Sequence, residues 1–114
     1  MNRLDATFKK LKSAKKKAFI AFITAGFPDL ATTEKLILEL ALSGVDIIEL
    51  GIPFSDPVAD GEMIQEASQW ALERNKINLV DVLKLVKKVR VKTEIPVCFM
   101  SYYNPIFVFG EERF

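Results

Sequence analysis

The chain has no histidine, which removes Ser-His and Cys-His nucleophilic pairs from any chemistry it performs alone. It has one cysteine, Cys98, so no intramolecular disulfide can form; a reducing, cytoplasmic compartment is the matching expectation. Within the run IPVCFM, Cys98 reads as a small buried apolar residue. Charge of either sign is not in excess: 16 Lys plus Arg against 15 Asp plus Glu leave a net +1, so neither nucleic acid nor an anionic membrane is expected as a partner. No apolar run approaches the roughly 20 residues of a membrane helix. The segment KKKAFIAFITAG mimics a signal peptide, but its lysines follow a helical segment and no A-x-A pattern comes after it, so export is not expected.

What is present is the composition of one folded domain, with 50% hydrophobic and 27% charged residues in 114. Leu4, Phe8 and Leu11 are spaced as one face of an opening helix whose lysines form a solvated side. AFIAFIT (18–24), VDIIEL (45–50) and IPVCFM (95–100) are short apolar runs, rich in β-branched or aromatic residues and suited to buried strands. Between them, Leu36, Ile37, Leu40 and Ala41 predict a helix ending near Gly44. Met63, Ile64, Ala67, Trp70 and Ala71 predict another, with a break over 75–78. Asn78 caps the next helix, with Asp81 in its first turn and an apolar stripe of Leu79, Leu83 and Val86. GEERF reads as the start of a further helix. Strands alternating with helices imply a parallel α/β sheet, in an open doubly wound form or a barrel.

The chemistry concentrates in ELGIPFSDPVADG (49–61). Loops at the C-terminal ends of parallel strands collect functional groups, and Glu49 stands at such an end. Alternation puts Val45, Ile47 and Glu49 on one face and Asp46, Ile48 and Leu50 on the other, so Glu49 points inward with apolar neighbours. Ionising a carboxyl there is costly, which suits it to proton exchange, although a carboxylate held by backbone amides or a lysine satisfies the same pattern. Asp60 adds a second acid on a loop that returns to the same strand mouth, and two such groups can divide proton transfer and substrate holding. Pro53 and Pro57 restrict the loop, while Gly51 and Gly61 permit backbone bends. Asp56 fits either a local loop cap or a contact with a partner's basic residue.

ELGIPFSDPVADG followed by IQEAS, together with FITAGFPD (22–29) and FMSYYNPIF (99–107), resembles the tryptophan synthase alpha subunit family across nearly the whole chain. The resemblance implies a (β/α)8 TIM barrel that cleaves indole-3-glycerol phosphate to indole and glyceraldehyde 3-phosphate, a lyase reaction without metal or organic cofactor. By the same resemblance Glu49 is the proton-shuttling catalytic residue, and Asp60 holds the indole N–H. Phe22, Ile64 and Tyr102 line the indole pocket. Segment 53–60 is then a mobile loop that meets the pyridoxal-phosphate-bearing beta subunit of an alpha2beta2 complex, with Pro53, Asp56, Pro57, Asn104 and Pro105 at the interface. Pyridoxal phosphate belongs to that partner.

A whole barrel takes about 250 residues, so residues 1–114 correspond to an incomplete barrel domain: strands 1–3, their helices and an extra N-terminal helix. No glycine-rich phosphate cradle is present, and the apolar outer strands are expected to leave unpaired edges. A piece of a longer enzyme is the expectation. The alternatives are a non-catalytic fragment that only associates with the beta subunit or other barrel pieces, and another sugar-phosphate barrel enzyme.

Overall fold

The computed structural model describes residues 1–114, ordered as α1 (Arg3–Ser13), β1 (Ile20–Thr24), α2 (Leu30–Leu42), β2 (Ile47–Gly51), α3 (Glu62–Arg74), α4 (Leu79–Arg90), β3 (Val97–Met100) and α5 (Tyr103–Phe109). The three strands form one parallel sheet in the order β1-β2-β3. β2 is central, and β1 and β3 each keep one unpaired edge, as their apolar runs anticipated. No helix is long and apolar enough to cross a membrane.

Each strand begins two residues into its apolar run. Before β1 and β2, the Phe19 amide donates to the Asp46 carboxylate (2.8 Å) and the Phe19 carbonyl accepts from Asp46 and Ile47, so a side chain ties the approach to the ladder. Before β3, Pro96 has no N–H to give, although its carbonyl accepts from Ile48 at 2.9 Å. Val45 therefore precedes the alternation and packs in the core with Ile48 and Leu50, not on the Glu49 face as expected.

Three helices start from side-chain caps. Asn2 accepts from the Asp5 amide at 2.9 Å, Asp29 from Thr32 at 2.6 Å, and Asn78 and Asp81 form a reciprocal capping box. The Thr32 bonds hold the Asp29 carboxyl below its ordinary range. Gly44, at φ +94°, follows the Ser43 C-cap of α2, a backbone position that suits glycine.

The core lies between the sheet and α2 and α4. Ile37, Ile48, Leu50, Val82 and Val89 are fully buried there. On α4 the buried stripe runs through Leu79, Val82, Leu85 and Val89, while Leu83 and Val86 are only half-buried. The stripe expected from spacing is rotated because α4 packs against both the sheet and α2. Similarly, Met63 and Trp70 are exposed on α3, and Ala67, Ser68 and Ala71 are its buried residues. Small residues face inward there: a Cβ added at Gly26 would stand 3.4 Å from that of Ala71.

The chain end departs from expectation. Residues 103–109 form the helix and GEERF forms a turn, since Gly110 adopts φ +106° and stops α5. Pro105 is tolerated because it sits in the first turn, where its missing N–H has no helical partner to lose.

Candidate active site

Register places Glu49 beside Phe22 of β1 and Cys98 of β3, and one pleat further on it pairs Thr24, Gly51 and Met100. Residues in register on a parallel sheet point to the same side, so these six form one face, opposite the one that Ile48 and Leu50 turn to the helices. Glu49 is half-buried on this face, as is Cys98, which is thus less enclosed than the run IPVCFM suggested.

A cavity of about 260 Å³ opens at the C-terminal ends of the strands, and Phe22, Asp60, Ile64 and Tyr102 all line it. The structure thus gathers four of the five expected catalytic and pocket residues around one space. Glu49 does not form its wall; it lies two residues, about 6.6 Å, before the lining residue Gly51 on the same face.

Gly51 earns its place by proximity. A Cβ there would stand 2.7 Å from Cζ of Phe22, so the bare backbone makes room for the aromatic ring at the cavity floor. Its φ is not in the left-handed region, nor is that of Gly61, which is an extended N-cap with open space around it. The backbone freedom expected of both glycines is not what the fold uses.

Tyr102 secures the loop from the β3 side. Its hydroxyl accepts from the Ala59 amide at 2.9 Å, and its ring lies 5.1 Å from that of Phe54. The polar partner of this half-buried tyrosine's hydroxyl is therefore a loop amide. The Asp60 amide donates to the Pro57 carbonyl at 3.0 Å, closing a turn. Asp56 is exposed and accepts from the Ser55 hydroxyl at 2.7 Å, consistent with a local loop contact. Pro53 is buried, Pro57 and Pro105 are half-buried, and Asn104 is exposed.

Thr24 and Ser68 also line the cavity, and sequence reasoning passed over both. Thr24 follows Phe22 by two residues on a strand and Ser68 follows Ile64 by four on a helix, so simple periodicity from the pocket residues would have found them. No lysine lines the cavity, so this chain offers no amine for a Schiff base there.

Parallel β/α units that bring carboxylates and aromatic walls to the C-terminal mouth of a sheet are the arrangement of α/β proteins, barrels among them. The family model described as "Tryptophan synthase alpha chain" matches residues 8–114, and the chain belongs to that family. A tryptophan synthase alpha chain of Geotalea daltonii is 57% identical over all 114 residues, which cover 43% of that relative. The crystal structure of the alpha subunit from Legionella pneumophila str. Paris superposes with a TM-score of 0.96 at 46% identity, over 99% of this chain and 43% of that one. Tryptophan synthase from M. tuberculosis in an aminoacrylate-bound form gives 0.90 at 31% identity, over 99% of this chain and 45% of that one. The chain thus spans less than half the length of the relatives it matches.

Proposed function

We propose that this chain carries the acid-base part of a lyase that cleaves indole-3-glycerol phosphate to indole and glyceraldehyde 3-phosphate. The observation that carries the reading is the cavity lined by Asp60, Phe22, Ile64 and Tyr102 on the face that presents Glu49. In this reading the indole ring lies among Phe22, Ile64 and Tyr102. Glu49 removes the proton from the glycerol hydroxyl and delivers one to indole C3, so that the protonated ring accepts the electron pair as the C–C bond breaks. Asp60 accepts the ring N–H and stabilises the positive charge that develops there.

The phosphate of the substrate needs a binding site outside residues 1–114, because barrel enzymes frequently hold phosphate on loops after strands 7 and 8. The activity is therefore proposed for a complete barrel of the relatives' length. Asp56, Pro57, Asn104 and Pro105, with Pro53 beneath them, supply the surface for a beta subunit in an alpha2beta2 complex, and pyridoxal phosphate resides in that partner. A cytoplasmic location belongs to the same reading.

A second reading is favoured by the free strand edges and by the exposed Phe19, Ile20, Met100 and Phe107: residues 1–114 alone act as a non-catalytic piece that associates with the beta subunit or with other barrel pieces. The deciding experiment measures indole release from indole-3-glycerol phosphate by the full-length protein and by residues 1–114. Release by the full-length protein that disappears in Glu49→Gln supports the lyase. A full-length protein that releases no indole sinks it.

A further inference from the structure

We propose that Gln65 is the positioning residue that holds Asp60 at the cavity. This rests on the lyase reading only for what Asp60 then does.

α3 is the exception among the longer helices. α1, α2 and α4 are each capped by a side chain that reaches forward into the first turn, whereas the N-cap of α3 is Gly61 and has none to offer. The connection is instead made backward. Gln65, in the first turns of α3, donates its carboxamide Nε2 to the Asp60 carbonyl at 2.9 Å and to the Pro57 carbonyl at 3.3 Å. These are the two ends of the turn that the Asp60 amide closes on Pro57. One NH2 group, which has two hydrogens to donate, thus spans the whole turn.

The hydrogen bonds of Asp60 are made through its backbone. Where its carboxylate stands relative to Phe22 and Tyr102 is therefore decided by the tethers on the loop. There are two from outside it: Tyr102 on the Ala59 amide and Gln65 on the Asp60 and Pro57 carbonyls. Tyr102 comes from the β3 side and Gln65 from α3, so the turn is held from both flanks. Losing the Gln65 tether frees the α3 side of the turn without emptying any of the core, because Gln65 is exposed.

The test uses the isosteric Gln65→Glu, which has no donor when ionised, and the apolar Gln65→Met of similar length. Gln65→Lys, which keeps donors, serves as the rescue. In the full-length protein, hydrogen exchange at the Ala59 and Asp60 amides reads the tether directly. Two exposed hydrogen bonds, each at the weak end of the usual range, shift a local opening equilibrium about five- to tenfold. Exchange at both amides is expected to rise by about that factor in the Glu and Met variants, with Ile48, Glu49 and Leu50 unchanged, and to fall back in the Lys variant. Unchanged loop exchange, or acceleration shared equally by β2, overturns the proposal.

In the full-length protein the Met variant is expected to lose kcat about five- to tenfold with KM within about twofold, because Asp60 acts on charge that develops in the transition state. An active wild type with an unaffected Met variant overturns the positioning role. An inactive wild type overturns the lyase reading, and with it the catalytic consequence of the tether, while the exchange measurement still decides whether the tether exists.

Discussion

The two faces of the sheet are built from the same three strands and differ in almost every physical respect. On the helix side, Ile48 and Leu50 are 0% exposed and sealed by α2 and α4. On the other, Ile20 is 46% and Met100 50% exposed, and Glu49, Gly51 and Phe22 sit among them at the edge of the cavity. One face stores stability and the other carries the groups proposed to react. Strand alternation makes this possible, since neighbouring residues serve opposite surfaces: Leu50 can be optimised for packing while Glu49, one position away, is not.

The sharpest way to test the division is to change one residue on each face. Glu49→Gln preserves shape and removes the exchangeable acid, so full-length turnover is expected to fall about 10²- to 10⁴-fold, measured as indole release. Stability, from urea midpoints, should move by less than about 0.5 kcal/mol. Leu50→Ala should instead cost about 2–5 kcal/mol in urea unfolding of the full-length protein, through the cavity it leaves. If Glu49→Gln destabilised as much as Leu50→Ala, the division of labour would be wrong.

Gly51→Ala probes the seam between the faces. The new methyl meets Cζ of Phe22 at 2.7 Å, and the ring must swing into the cavity to relieve it. A loss of about 1–3 kcal/mol is expected, together with weaker binding of indole measured by calorimetry on the full-length protein. Pairing it with Phe22→Leu should recover stability but not binding.

The smallest effect lies on the helix side. Glu34 is almost buried in α2 and bridges Lys88 of α4 at 2.6 Å and Lys92 at 2.8 Å. The hydrogen bond from Lys88, then that from Lys92, holds its carboxyl below the ordinary 4.5. A depressed folded value means that the bridge stabilises fully above the unfolded value and is lost as pH falls through the folded one. The stability difference between wild type and Glu34→Gln should therefore be present at pH 6 and shrink as pH drops below about 4.5, read from urea midpoints across that range. Both lysines remain largely exposed, so added salt should weaken the difference.

Much of this was legible in the residues. The alternation of short apolar runs with helical spacing identified three strands and the helices between them, because periods of 2 and 3.6 are local properties of the backbone. Asn78 with Asp81 announced its capping box, and ELGIPFSDPVADG announced both acids and the family. Other features were not legible. Trp70 shared the helical spacing of Ala67 and Ala71, yet it lies outside, donating to the Pro28 carbonyl at 3.0 Å with Arg74 over its ring. Val82 and Val89, not Leu83 and Val86, complete the buried side of α4. In each case a neighbour far along the chain chose among positions that periodicity left equivalent.

The same line separates what the sequence alone determined from what the tertiary structure decided. Which segments are strands or helices, where the helices are capped, and which acids are available follow from short-range rules of sterics and hydrogen bonding. That Asp60 meets Phe22, Ile64 and Tyr102 around one cavity, that Gly51 yields its side-chain space to a ring on β1, and that Gln65 and Tyr102 grip one turn from opposite flanks required the fold. These contacts join residues up to 80 positions apart, counting from Phe22 to Tyr102. Their geometry depends on the register of a parallel sheet, which no local stretch of chain encodes by itself.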